Sequence, residues 1–443
     1  MSGAPVMAEA RLPLLRDYRP EAPLVYGQGG WVNQGDFLAA AAALARQLPE
    51  GRHALNLCSD RYHFMLGFCA ALLRGVTTLL PANRQVQTLA ELVGEYPGAF
   101  ALVDEPQATG CPQVAVARLA CADPAPAQSP TVAAEALAVT AFTSGSTGRP
   151  LPNAKRWASL CGTARLLAGR FAAGPRPPAI VATVPCQHMY GLEMTAMMAL
   201  QGRCRLHARH PFYPEDIAAA LAECPAPRLL VTTPVHLRAL IGARCSLPPT
   251  DRVVSATAPL EPSLAAAMEA CSGGAVQEIY GCTEAGSIAT RWPAQGDEWQ
   301  LLEGMALRPA PAGVEVIGPQ LAQPVPLQDQ LALLDGGRFR LLGRAADLIN
   351  VGGKRASLAD LNRRLLEVDG VEDAVVFVPD DGQRPAALVV SGLSERQISE
   401  QLARRIDPVL LPRPLRIVAQ IPRNETGKVA RADLLQALRR TGG

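Results

Sequence analysis

Lysine is nearly missing from this chain: three occur in 443 residues, at positions 155, 354 and 428. Any excess of charge is missing too, since 42 Lys and Arg stand against 40 Asp and Glu, a net charge of +2. A general nucleic-acid or membrane-surface binder needs a concentrated basic field, and only the short pair Arg439 and Arg440 comes near one. No CxxC motif occurs among the eleven cysteines, which are scattered singly. An odd number of dispersed thiols argues against a secreted disulfide scaffold and fits a reducing compartment. The first residues, MSGAPVMAEARLPLLRDYRPEAP, carry acids and prolines where a signal peptide needs an apolar core. The most apolar run, FMLGFCAALLRGVTTLLP at 64–81, is broken by Arg74 and Gly75 and reads as a buried helix and then a strand. The expectation is a cytoplasmic protein with no nucleic-acid partner and no membrane span.

What is present is a large apolar reserve. Hydrophobic residues make up 49% of the sequence, enough for two or three domains. Apolar β-rich runs at 178–185, 228–234 and 252–260 alternate with the Ala-rich stretches PEDIAAALAEC and PSLAAAMEACSGG. Strands alternating with helices predict a parallel sheet covered on both faces, with ligands at the carboxyl ends of its strands. Texture changes near residue 340, where short polar strands and two charged helices, 358–367 and 395–405, begin. The fold class expected is α/β, with a large N-terminal domain of layered sheets and helices over 1–343 and a small α+β domain over 344–443.

Two segments point to phosphate chemistry. TAFTSGSTGRP at 140–150 makes every position from Thr143 to Gly148 a Ser, Thr or Gly. Its amides and hydroxyls could wrap an anion, or form a solvated turn, and the segment alone leaves both readings open. A Walker loop is excluded, because Gly148 is followed by Arg149 and Pro150 where Lys and Ser/Thr are required. YGCTEAG at 280–286 sets a hydroxyl, Thr283, beside a carboxylate, Glu284, next to glycine. A hydroxyl for phosphate beside a carboxylate for Mg²⁺ is what nucleotide chemistry requires, although Thr283 could equally cap a helix.

The order of six segments resembles the acyl-adenylate-forming superfamily, which includes acyl- and aryl-CoA synthetases, adenylation domains and luciferases. FTSGSTGRP is similar to its phosphate loop, YGCTEAG to its nucleotide and magnesium motif, and SATAPL at 255–260 to its adenine-pocket strand end. DQLALLDGGRFRLLGR resembles the stretch with the ribose-binding Asp and hinge Arg, INVGGKRASLADLN the glycine loop of the mobile domain, and PRNETGKVARADLL the loop of the catalytic lysine. Each of the three lysines lies in or beside one of these segments.

The resemblance implies roles. Thr143, Ser144, Gly145, Ser146, Thr147 and Gly148 would cradle the ATP phosphates. Ala256, Thr257, Ala258, Tyr280 and Gly281 would border the nucleotide. Thr283 would touch the α-phosphate and Glu284 would hold Mg²⁺. Asp329 would accept from the ribose hydroxyls with Arg344 in support, and Lys428 would bridge carboxylate, α-phosphate and ribose. After adenylation the small domain is expected to rotate, and Gly353 and Arg355, with Gly352 and Lys354, would then serve CoA or a phosphopantetheine arm. The implied activity is an acid–thiol ligase that forms acyl-AMP from ATP.

The chain also departs from the family. The phosphate loop ends Pro150-Leu151 where Pro-Lys is usual, so either Lys155 reaches back or pyrophosphate is held less tightly. Ala346 stands where an acidic hinge residue is common. VPCQHMYGLEM at 184–194 resembles the Pro-x-x-His-x-x-Gly stretch of acyl and aryl ligases, which places His188, Met189 and Gly191 at the pocket of a small non-amino carboxylic acid. An aryl acid is favoured, with a fatty acid as the alternative, and a nucleotide-binding member without catalysis as a third reading. No carrier domain is recognised in the sequence, so the acceptor is expected in trans, as CoA or an acyl carrier protein.

Overall fold

The alternation of β-rich and Ala-rich stretches becomes, in a computed structural model of the chain, two mainly parallel sheets. Residues 10–27, 29–116, 124–144, 150–311, 313–344, 348–351, 354–379, 384–423, 429 and 431–440 are described. They fall into two compact units, one of residues 1–296, 300–306 and 316–325, the other of 297–299, 307–315 and 326–443. The 329–344 segment thus groups with the smaller unit, so the compact units divide near residue 326, ahead of the expected boundary at 343/344.

In the larger unit the first sheet has six strands in the order Pro150–Arg156, Leu137–Ser144, Thr77–Leu80, His53–Asn56, Phe100–Val103 and Gln113–Ala115. All but Pro150–Arg156 run parallel to their neighbours. The second sheet contains six parallel strands, among them Ala179–Ala182, Arg228–Thr232, Arg252–Ser255 and Ala275–Cys282, with Gly286–Arg291 antiparallel beside the last. Val181, Leu230, Val253 and Val276 are fully buried beneath Ile217, Leu221, Leu237, Ala265 and Met268 of the intervening helices. Burying each such side chain stabilises by about 1.5–3 kcal/mol, so this face of the sheet is a principal source of the unit's stability.

The helix Arg61–Leu73 joins the two layers. Asp60 caps it, accepting from the amides of Tyr62 and His63. Arg61 is buried with no carboxylate partner among the described residues, and its Nη2 donates to the carbonyls of Ala182 (2.7 Å) and Val184 (2.8 Å). Carbonyls at a strand's carboxyl end are thereby satisfied by a cation from another layer, which fixes where the chain leaves the sheet.

In the smaller unit the strands Asp329–Leu334 and Arg338–Arg344 form a hairpin. A second hairpin pairs Leu348–Val351 with Lys354–Ser357. Beyond it, strands Val371–Phe377, Ala386–Ser391 and Leu415–Ile417 pack under helices Leu358–Leu366 and Glu395–Leu402 through Leu361, Leu365, Val376, Val389, Ile398 and Leu402. This is the α/β fold with a small α+β domain that the sequence suggested.

At the carboxyl edge of the large sheet lie two histidines, His236 buried and His210 partly buried. His236 Nδ1 lies 2.9 Å from Thr233 Oγ1 and 3.2 Å from Thr183 Oγ1, and His210 Nε2 donates to the Thr183 carbonyl at 2.8 Å. Burial pushes both imidazoles down to about 4 from 6.5. A depressed pKa means that the unfolded chain takes up the proton first, so stability present above pH 6.5 is lost as pH falls towards 4. Thermal midpoints should fall across that window, and His236→Gln should make the fall shallower; an unchanged slope would remove this residue from the account.

Candidate active site

The Arg252–Ser255 strand ends in Ala256, Thr257 and Ala258, and Thr257 has φ +80°, in the left-handed region. A β-branched residue there is strained by about 1–3 kcal/mol unless its surroundings over-determine it, and such strain gathers at functional sites. The surroundings do so here. Leu260 donates its amide to Glu278 Oε1 at 2.9 Å, Arg291 Nη2 donates to the Leu260 carbonyl at 3.0 Å, and Arg291 Nε meets Glu278 Oε2 at 2.6 Å. Burial pushes the Glu278 carboxyl up to about 7 against the pull of Arg291.

The next strand carries the tighter turn. Gly281 pairs with Ser287 and Cys282 with Gly286, leaving Thr283, Glu284 and Ala285 at the tip. Thr283 is half-buried and Glu284 exposed. Both flanking glycines are required by space: a Cβ at Gly281 would fall 2.4 Å from the Gly286 carbonyl oxygen, and one at Gly286 (φ +75°) 2.3 Å from Glu193 Oε1. Glu193 itself is buried, in the π-turn Glu193–Met197, and accepts from the Ser287 amide at 3.0 Å and hydroxyl at 2.6 Å. From the other side Lys155 Nζ donates to the Glu284 carbonyl at 2.5 Å. Burial lowers the Lys155 pKa, opposed first by Glu193, and burial raises that of Glu193, opposed by Ser287 and then Lys155.

Lys155 comes from the hairpin Leu137–Ser144/Pro150–Arg156, whose turn is the hydroxyl-rich loop. Gly145, Ser146, Thr147 and Gly148 lie outside the described residues, as do the side chains of Thr143 and Ser144. Leu151 pairs with Thr143 beside the loop and is 57% exposed, whereas Lys155 pairs with Val139 and is 7% exposed. Four residues of strand separate them, roughly 13 Å at about 3.3 Å per residue. A cleft of about 290 Å³ borders Lys155 and Glu284, with Ser159, Gln320 and Gln323 in its wall; Arg156 there is paired with Glu135.

His188 stands at the N-terminus of the helix Met189–Leu192 and is partly buried. Met189 is buried, and a Cβ at Gly191 would fall 1.9 Å from the Pro185 carbonyl oxygen, so this glycine is needed for close packing. The Tyr190 hydroxyl donates to the carbonyls of Val254 (2.9 Å) and Thr232 (3.2 Å), tying this helix to two strand ends.

In the smaller unit Asp329 and Arg344 are partners in the backbone register of the hairpin, and the Arg344 side chain lies outside the described residues. Arg355 is paired with Asn350 in the second hairpin, whose turn residues Gly352 and Gly353 lie outside the described residues, as does the Arg355 side chain. Lys354 forms an ion pair with Asp407. Lys428 also lies outside the described residues, but its loop springs from an antiparallel bridge between Arg423 and Val429. Arg423 is held by Asp373 through contacts of 2.9 and 2.8 Å.

Residues 18–330 match the model of the AMP-binding enzyme family, and residues 362–428 that of the AMP-binding enzyme C-terminal domain. The chain belongs to the AMP-binding enzyme family. It is an adenylate-forming acid–thiol ligase. Among its relatives, a 4-coumarate–CoA ligase of Halorhodospira halophila is 31% identical over 66% of this chain and 74% of that one. A 4-coumarate–CoA ligase of Rhodobacter capsulatus is also 31% identical, over 65% and 73%. The fold is that of o-succinylbenzoate CoA synthetase from Bacillus subtilis in complex with its acyl-adenylate intermediate, with TM-score 0.82 and 18% identity over 96% of this chain and 98% of that one.

Sequence reasoning picked out Lys155 as unusual but missed its destination, and it missed Glu193 altogether. The available signal was a lone carboxylate inside the apolar run GLEMTAMMAL. If Gly286 is required as described, Gly286→Ala should destabilise the chain by about 1–3 kcal/mol in denaturant unfolding, because it adds both a clash and backbone strain.

Proposed function

We propose that the chain activates a small non-amino aryl carboxylic acid as its acyl-AMP and then transfers the acyl group to the thiol of CoA. The observation that carries the proposal is the turn that presents the half-buried Thr283 and the exposed Glu284 at the carboxyl edge of the parallel sheet, beside the segment that holds Thr257 at φ +80°. Two relatives at 31% identity that are themselves 4-coumarate–CoA ligases support the aryl class and CoA as acceptor. A phosphopantetheine arm on an acyl carrier protein presents the same thiol and is one arm of the test.

In the first step an oxygen of the acid attacks the α-phosphorus of ATP, the bond to the β-phosphate oxygen breaks, and pyrophosphate leaves. Both reactants are anions, so the site must neutralise charge before it can orient them. Thr283 is assigned the α-phosphate, the 143–148 loop the β- and γ-phosphates, Asp329 with Arg344 the ribose, and His188, Met189 and Gly191 the border of the acid. Ala256, Thr257, Ala258, Tyr280 and Gly281 are assigned the nucleotide face. Mg²⁺ takes one or two carboxylates, substrate phosphate oxygens and water rather than a full protein cage, and the single exposed carboxylate of Glu284 fits that pattern. Bound there, Mg²⁺ supplies positive charge to the phosphates. Lys428 is assigned the charge that develops as the carboxylate meets phosphorus.

In the second step the thiolate attacks the acyl carbon, AMP leaves with the electron pair of the broken C–O bond, and the thiol proton goes to solvent. Arg344 is proposed as the hinge between the steps, and Gly353 and Arg355 as the thiol-facing residues.

Pyrophosphate exchange across a panel of aryl, fatty and amino acids tests the substrate class. Exchange should depend on aryl acids; dependence on fatty acids alone would reassign the pocket, and silence from every acid would overturn the reading. Glu284→Gln should abolish exchange at limiting Mg²⁺. Lys428→Ala should slow adenylation about 10²–10³-fold yet still transfer acyl groups from supplied acyl-adenylate. Gly353→Trp should do the reverse, retaining exchange and losing transfer to both CoA and carrier protein.

A further inference from the structure

Two buried charged side chains bond to the Thr283–Glu284 turn and the strand that follows it, and neither has a role in the reaction as laid out above. Lys155 arrives from the first sheet, on the strand that follows the phosphate loop, and Glu193 from the π-turn of the helix that packs on the second. The ammonium is 7% exposed and donates to the Glu284 carbonyl; the carboxylate is 2% exposed and takes both the amide and the hydroxyl of Ser287. Between those two attachments lie Glu284, Ala285 and Gly286, with Gly286 at φ +75° and packed directly on the Glu193 carboxylate, so that a side chain there would strain the backbone and displace that carboxylate.

The turn is therefore gripped at its tip and on its outgoing strand by the chain's own buried charges. A strand pair turning this tightly could stand without them, and an apolar side chain would fill either space at lower cost than a buried ion. Where charges are kept in such a place, they fix geometry. Leu151 stands where the family places a phosphate-binding cation, but Lys155 does not take over that position. It sits four residues along the strand, its amine occupied by a main-chain carbonyl of the turn.

We propose that Lys155 and Glu193 are positioning residues that set the Glu284 carboxylate for the metal–nucleotide complex, acting through the main chain of the turn without touching phosphate. This rests on the assignment of Mg²⁺ to Glu284. The two act as one device, since each holds a different end of the same short segment.

The quantity that reports it is the factor by which Mg²⁺ improves ATP binding, obtained by calorimetry on the full chain with ATP in excess Mg²⁺ and with ATP in chelator. A general loss of packing weakens both affinities and leaves their ratio unchanged. A direct phosphate ligand, once removed, weakens ATP most in chelator, where the phosphates are unshielded. A positioning residue lowers the ratio itself. Lys155→Met and Glu193→Gln should each lower it roughly tenfold, towards the value for Glu284→Gln. The double variant should fall no further than the worse single one. Ser287→Ala, which keeps the amide contact to Glu193, should give a smaller drop in the same direction and decides the matter if the other variants do not fold. Lys155→Met that weakens ATP in chelator while Glu193→Gln leaves it intact would overturn the proposal in favour of a phosphate contact. Unchanged ratios in all three variants would overturn it outright. A wild-type chain that gains nothing from Mg²⁺ would remove the assignment of Glu284 first, and the proposal with it.

Discussion

The proposed reaction brings two anions together, and it therefore depends on holding one carboxylate, that of Glu284, where a third negative charge is tolerated. Glu284 is exposed on a three-residue tip, and an exposed side chain on a mobile tip would orient nothing. What makes it useful lies below the surface. Lys155 is satisfied there by the Glu284 carbonyl, and Glu193 by the amide and hydroxyl of Ser287. A buried charge left without partners costs several kcal/mol, so each charge is bound to the turn and the turn to it, which makes a soft hairpin a fixed platform. The same logic holds one strand away, where Glu278 and Arg291 together fasten Leu260 and thereby keep Thr257 in a backbone region it would otherwise leave.

The larger architecture supplies the convergence. Parallel sheets deliver their strand ends to one edge, and the second sheet brings the Ala256–Ala258 and Thr283–Glu284 segments there from neighbouring strands. The phosphate-loop hairpin belongs to the other sheet. Lys155 is the group that carries a contact from the first sheet to the turn on the second, and Arg61 does the same from its helix to the end of the Ala179–Ala182 strand. Cations that cross between layers and end on main-chain carbonyls recur as the joining device, with hydrophobic burial providing the bulk of the stability.

The legible part of this fold is the part whose cause is local. Ala-rich stretches between β-rich apolar runs read as helices and buried strands because period and composition act within one element. The helix over 262–272 even closes at Gly273 (φ +72°), as a Gly pair suggests. The loop and the YGCTEAG turn are legible because chemistry restricts them to hydroxyls, glycine and one carboxylate. The expected 395–405 helix overshoots its end. Leu402 is its last core residue, and beyond it Arg404 and Arg405 bond three residues back, in the tighter pattern that ends helices. Glu193 was invisible for a different reason. Its partner Ser287 is 94 residues away, and Lys155 finds its carbonyl at a separation of 129. No window along the chain contains both halves of either contact.

That distinction also explains why the acid is harder to read than the reaction. The stretch CQHMYGLEM resembles a substrate motif, yet four of its nine residues have structural duties. Gln187 Nε2 donates to the Cys58 carbonyl at 2.7 Å, Tyr190 fastens two strand ends, Gly191 admits Pro185, and Glu193 secures the turn. A residue committed to the frame cannot vary with the substrate without loosening the site that all substrates share. Selectivity therefore has to reside in side chains around this stretch that the frame does not use, and such residues carry no motif because nothing but the shape of the acid constrains them.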